Sequence, residues 1–126
     1  MKRFWIGVGI LAAVLAVGIW AGERMQRVHL PCALDLEQAA GCAMAADWTS
    51  AGLLGDRARE SWMHNRKISA SVANHQIMDE IDAAFEELEI YRAREETSAY
   101  SARCLYLAER LRDLGRSYRL NWWNLF

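Results

Sequence analysis

Hydrophobic positions along the chain fall into one long unbroken run followed by four periodic stretches. The run is Phe4 to Gly22, nineteen residues without a charge, directly behind Lys2 and Arg3. A hydrocarbon core of ~30 Å needs about 20 apolar residues at the helical rise, so this run is long enough to span it. A helix is also the single-segment way to satisfy the backbone there. Trp5 and Trp20 stand near its two ends, where amphipathic rings favour the headgroup zone. A cleaved signal peptide has an apolar core of only about 7–15 residues that ends in small residues. Ala16-Val17-Gly18 offers such an end, but the apolar run continues through Ile19 and Trp20. Length therefore favours an uncleaved signal-anchor, with a soluble domain secreted by cleavage after Gly18 as the rival.

Beyond Gly22 the pattern changes to three- and four-residue steps, the period of amphipathic helices. Met25, Val28, Cys32, Leu36, Ala39, Ala43 and Ala46 form one apolar face over about Glu23 to Ala46, interrupted by Pro31. Proline costs ~3 kcal/mol in a helix interior. Either the membrane helix kinks there, or it stops near Val28 and a second helix starts; Leu30 has no capping oxygen, which favours the kink. Asp47 caps a second helix, Trp48 to about Lys67, with Trp48, Ala51, Leu54 (or Gly55), Ala58 and Trp62 inward. Asn74 caps a third, carrying Ile77, Ile81, Ala84, Phe85, Leu88 and Tyr91. A fourth starts near Thr97 or Ser98, with Tyr100, Cys104, Leu107, Leu111, Leu114 and Tyr118. Short turns make such helices antiparallel neighbours. The expected fold is all-α: an N-terminal transmembrane helix (anchor 1–22, residues 4–22 spanning), then a small up-down four-helix bundle of two helical hairpins over 23–126.

Charge refines this picture. Setting Lys2 and Arg3 aside leaves 13 basic residues against 16 acidic, a net charge of −3, without the clustered basic surface that nucleic acid requires. Six acids and no base lie between Asp79 and Glu89 on the third helix. The fourth helix carries Arg103, Arg110, Arg112, Arg116 and Arg119. The acidic helix is thus expected to lie between the arginine-rich fourth helix and the basic end of the second (Arg57, Arg59, Arg66, Lys67). Lys2 and Arg3 on one side of the span nearly balance Arg24 and Arg27 on the other. The N-terminal position of the span behind two basic residues favours a cytoplasmic N-terminus and an extracytoplasmic bundle.

Candidate chemistry is sparse. His75, Asp79, Asp82 and Glu86 share one side of the third helix and are the candidate metal ligands, since imidazole and carboxylates suit a metal ion. A polar stripe opposite an apolar one is also what any surface helix shows. No nucleophile elbow or phosphate loop occurs, so neither a catalytic residue nor a cofactor is assigned. The odd set Cys32, Cys42 and Cys104 lacks zinc spacing. In up-down order Cys42 and Cys104 come to nearly the same height and are the candidate disulfide, with buried free thiols as the alternative. Gly18 and Gly22 form a Gly-x-x-x-Gly step, a candidate face for a helix homodimer. The aromatic end, Leu120, Trp122, Trp123, Leu125 and Phe126, should finish where the anchor emerges, either dipping into the interface or packing beneath the bundle.

The run Ala39…Asp47-Trp48…Ala51…Trp62, then His75…Asp79…Ile81, then the closing Leu120-Asn121-Trp122-Trp123-Asn124-Leu125-Phe126, resembles a bacterial domain-of-unknown-function family. Its members are short proteins with one N-terminal membrane helix. The family pattern places an acid before the histidine and another after it, where Asn74 and Ile77 stand here. The resemblance implies an anchored helical domain and assigns no activity. The expected function is an interaction or scaffold module in the cell membrane, meeting the lipid bilayer and another membrane or envelope protein. Its rival is a metal-binding or enzymatic domain using the His75/Asp79 face.

Overall fold

Pro31 does not end the first helix. In the computed structural model α1 runs unbroken from Lys2 to Met44, so the apolar run and the first bundle helix are one rod of ~65 Å at 1.5 Å per residue. The structure describes residues 1–70 and 75–124, with the side chains of 21, 22, 25, 26, 68–70 and 117–124 left aside. The other helices are α2 (Trp48–Ala70), α3 (His75–Ala93) and α4 (Thr97–Asn124). No strand occurs among the described residues. The sequence pattern placed the end of α2 near Lys67; α2 continues to Ala70.

Each helix packs on two others, α1 on α2 and α4, and α3 on α2 and α4. Across the diagonals, α1–α3 and α2–α4, no Cα atoms among the described residues come within 8 Å. Every neighbouring pair is antiparallel. Asp35 of α1 meets Arg57 of α2 while His29 meets Trp62. Glu87 of α3 meets Arg103 of α4 while Glu80 meets Arg110.

Small residues on α1 permit the close fit. Ala33, Ala39, Ala40 and Ala43 are buried around Leu36, and on the facing helices the largest buried side chains are Trp62 and Tyr100. Tyr100 reaches from α4 across the bundle axis, and its hydroxyl donates to the Ala51 carbonyl of α2 at 3.0 Å. The edge of Trp48 packs on its ring, centroids 5.3 Å apart at 71°. Gly55 makes room for the hydroxyl: a Cβ there would stand 2.9 Å from it.

The two hairpin turns are the same device used twice. Ala46 and Glu95 each adopt a positive φ, 61° and 52°. Behind them, the Asp47 amide donates to Cys42 and the Glu96 amide to Tyr91. These six-to-one bonds are Schellman closures, which satisfy helix-end carbonyls and usually place glycine at the left-handed position. Asp47 then caps α2 by accepting the Ser50 amide at 3.2 Å, as its short side chain predicts. The Ser50 contacts hold the Asp47 carboxyl below its ordinary value.

Charge layering follows the sequence. Acidic α3 is paired on one side through Glu87–Arg103 and Glu80–Arg110, and on the other through Asp82–Arg66 and Glu89–Arg59. Glu80 Oε2 and Glu87 Oε2 are buried without an in-line hydrogen bond, and arginines at 3.3 and 2.6 Å neutralise them. Pairs this exposed each contribute ~0–1 kcal/mol, so they set the arrangement more than they hold it together.

Candidate interaction clefts

Among the described residues, open clefts lie between neighbouring helices on two sides of the core. The first lies between α2 and α3, about 260 Å³ in volume, among Arg59, Trp62, Met63, Arg66, Asp82, Phe85 and Glu86. Helical spacing creates it: Trp62 and Arg66 stand one turn apart on α2, and Asp82, Phe85 and Glu86 cover one turn of α3. Trp62 and Phe85 form an aromatic floor with charged walls, and Met63 is exposed at the rim.

Trp62 is fixed from two sides. Its indole N–H donates to Asp82 Oδ1 at 2.7 Å. Arg66 closes on the other carboxylate oxygen through Nε and Nη2, at 3.1 and 2.9 Å. Behind the ring lies His29 of α1, centroids 6.0 Å apart at 43°. His29 is buried, and burial lowers its pKa from 6.5 to about 4. It is therefore a neutral imidazole at neutral pH.

The second cleft lies between α1 and α4, about 270 Å³, lined among the described residues by His29, Leu30, Leu111, Arg112, Gly115 and Arg116. Arg112 pairs closely with Glu37 of α1, and Arg116 lies 3.7 Å from Asp113.

The residues singled out from sequence do not gather into one site. His75, Asp79 and Glu86 are exposed, while Asp82 is committed to Trp62 and Arg66. Among the described residues no three His, Cys, Asp or Glu side chains stand together as a metal site. Cys42 and Cys104 are free thiols, as is Cys32. Cys104 is buried, and burial pushes its thiol up to about 12. Burial, with Asp35 nearby, does the same for Cys32, whose Sγ donates to the Ala58 carbonyl at 3.2 Å. Gly18 is buried within the single chain; the burial of Gly22 lies outside the description. The side chains of Leu120, Trp122 and Trp123, and the whole of Leu125 and Phe126, lie outside the described residues as well.

Sequence reasoning gave His29 no role. The signal was present: His29 precedes Ala33 by four residues and Leu36 by seven, which places it on the apolar face of α1. It also missed that Asp82 answers the indole of Trp62. That pairing joins two helices, and periodicity within one helix cannot show it.

The helix Lys2–Trp20 is long and apolar enough to cross a membrane, and Gly18 is its one buried residue. In comparison with known proteins, the chain matches no protein-family model, no curated protein and no solved structure.

Proposed function

We propose that this chain is a single-pass membrane protein that presents a small helical bundle as an interaction module. The carrying observation is the continuity of α1. Its first nineteen residues, apolar after Lys2 and Arg3, are exposed on nearly every side, and the same helix supplies Cys32, Leu36 and Ala39 to the core. Exposed apolar surface on this scale calls for a lipid cover. A rod without a linker then holds the bundle at a set height and orientation. The working surface is the α2–α3 cleft with its aromatic floor, flanked by Asp79 and Glu86 of the acidic helix, and its partner is another membrane or envelope protein. Lys2 and Arg3 before the span support a cytoplasmic N-terminus and an extracytoplasmic bundle. The resemblance to short bacterial proteins with one N-terminal span belongs to the same reading.

Photo-crosslinking from positions 63 and 86 in living cells tests it, with carbonate extraction of the same membranes. The expected result is a chain that stays with the membrane and joins a membrane or envelope protein from both positions. A soluble chain whose mature N-terminus follows Gly18 would overturn the anchor. Stoichiometric metal in the purified protein, lost in His75→Ala, would favour the metal-binding rival.

A further inference from the structure

The α1–α4 cleft carries a chemistry that the core does not use. Three of its lining residues, Leu30, Leu111 and Gly115, are apolar, and two, Arg112 and Arg116, are guanidinium cations. Glu37 accepts from Nη1 of Arg112, one of the several N–H groups that a guanidinium carries. Arg116 is largely exposed, its Asp113 contact being an i,i+3 pair. Pairs of that kind are weak, so Arg116 can exchange Asp113 for a better anion.

Height and charge point the same way. His29 and Leu30 follow Gly22 by seven and eight residues, ~10–12 Å along the helix axis. The headgroup layer extends ~5–8 Å beyond the hydrocarbon, and long arginine stems can bend toward it. α4 is antiparallel to α1, so its course from Arg112 to Asn124 leads down toward the span. Arg24 and Arg27 of α1 lie on this part of the rod, and Glu23 meets Arg27 only at 3.9 Å. At the same end of the bundle the acids of α3 already answer arginines, Glu80 with Arg110 and Asp82 with Arg66. The membrane-proximal end thus keeps loosely paired arginines on α1 and α4, Arg27 and Arg116 among them, and a phosphate is drawn to these.

We infer that the α1–α4 cleft holds the phosphate headgroup of an anionic glycerophospholipid from the leaflet on the bundle's side of the membrane. Arg116 and Arg112 take the phosphate, and Leu30, Leu111 and Gly115 take the glycerol and first acyl carbons. This site rests on the membrane-anchor reading above and adds the ligand class. The apolar half of the lining distinguishes a lipid from a free anion, which would leave those groups unused. The lipid would fix the rotation of the bundle about the anchor, and with it the direction in which the α2–α3 cleft faces.

The test uses full-length protein reconstituted in vesicles of phosphatidylcholine, with or without phosphatidylglycerol. Lipid retained per chain is then read by native mass spectrometry. Wild type is expected to retain one phosphatidylglycerol in preference to phosphatidylcholine. Arg116→Gln should lower that retention about fivefold, the weight of one basic side chain at an anionic surface. Gly115→Leu, which fills the cleft and leaves the charge alone, should lower it at least as far. Arg116 lies on the surface, so its variant keeps the test decisive if Gly115→Leu disturbs α4. Equal retention in wild type and Arg116→Gln, or no preference between the two lipids, would overturn the inference. So would an equal, Arg116-dependent uptake of inorganic phosphate alone. Carbonate extraction of the same vesicles separates the two readings. A chain that stays embedded but shows no headgroup preference removes the cleft and keeps the anchor, whereas a released chain removes the anchor itself.

Discussion

Trp62 and Asp82, twenty residues apart on different helices, meet at 2.7 Å through the indole N–H and one carboxylate oxygen. The indole is 1% exposed, so this bond answers a donor that burial would otherwise strand. The same carboxylate receives Arg66 on its other oxygen. One acidic side chain thereby sets the register of α2 against α3 and shapes the wall of the cleft between them.

Asp82→Ala is expected to lower the unfolding free energy of the bundle by ~1–3 kcal/mol, the cost of leaving a buried donor unanswered. Asp79→Ala, three residues earlier on the same helix and exposed, should change it by less than ~0.5 kcal/mol. Denaturant unfolding of the full-length protein in mild detergent, followed by tryptophan fluorescence, measures both. Similar costs for the two would mean that the Trp62 bond does not hold α3 in place.

His29 gives the bundle a signed pH dependence. Its folded pKa, about 4, lies below the ordinary 6.5, so between those values the unfolded chain binds a proton that the folded chain refuses. Stability therefore falls as pH drops through 6.5, and the contribution of His29 levels off below about 4. The full loss is of order 3 kcal/mol. In His29→Phe the slope between those two pH values should flatten by the contribution of one proton, whatever the change in absolute stability. Unfolding curves collected across that range decide it, and an unchanged slope would refute the assignment.

The three cysteines should separate by reactivity. Cys32 and Cys104 are buried with thiols pushed up to about 12, whereas Cys42 is half-buried at the edge of the core. Thiolate is the reactive form, so brief alkylation of the folded protein should mark Cys42 first. The other two should follow only on unfolding. Mass mapping of the modified sites reads the order, and unfolding without reductant should expose all three to the reagent. A Cys42–Cys104 bridge in the purified protein would leave Cys32 alone reactive.

Glycine exchanges test the backbone in opposite directions. At Gly41 a Cβ would meet nothing within 4 Å, so Gly41→Ala should stabilise the bundle by ~0.5–1 kcal/mol through helix propensity. At Gly55 the Cβ would push on the Tyr100 hydroxyl at 2.9 Å, so Gly55→Ala should cancel or reverse that gain. Ala46→Gly relieves a positive φ of 61° and should stabilise by ~1 kcal/mol. Glu95→Gly should act in the same direction at the second turn. Thermal unfolding ranks the four variants, and a stabilising Gly55→Ala would count against the Tyr100–Ala51 bond.

Much of the bundle was legible before any coordinate. The steps Cys32, Leu36, Ala39 and Ala43, or Tyr100, Cys104, Leu107 and Leu111, repeat with the helix period. Each of these residues is buried. The Asp47 cap and the charge alternation of α2, α3 and α4 were legible for the same reason: they depend on residues a few positions apart, or on net charge along one helix. Whether Pro31 breaks the rod was not legible locally. The answer depends on whether packing on α2 and α4 outweighs the lost backbone bond.

The clefts lay beyond the sequence. Trp62 with Asp82, His29 with Trp62, and Arg112 with Glu37 each join residues of different helices. Such pairings depend on how neighbouring helices slide and rotate against one another, which is settled by fitting Tyr100 and Trp62 against small residues such as Gly55 and the alanines of α1. By itself the sequence determined an apolar helix able to cross a membrane and the faces that four amphipathic stretches must bury, because local spacing and hydrophobicity suffice for both. Only the tertiary structure decided that the apolar run and the bundle share one helix, and which polar side chains its closure leaves around the open clefts among the described residues.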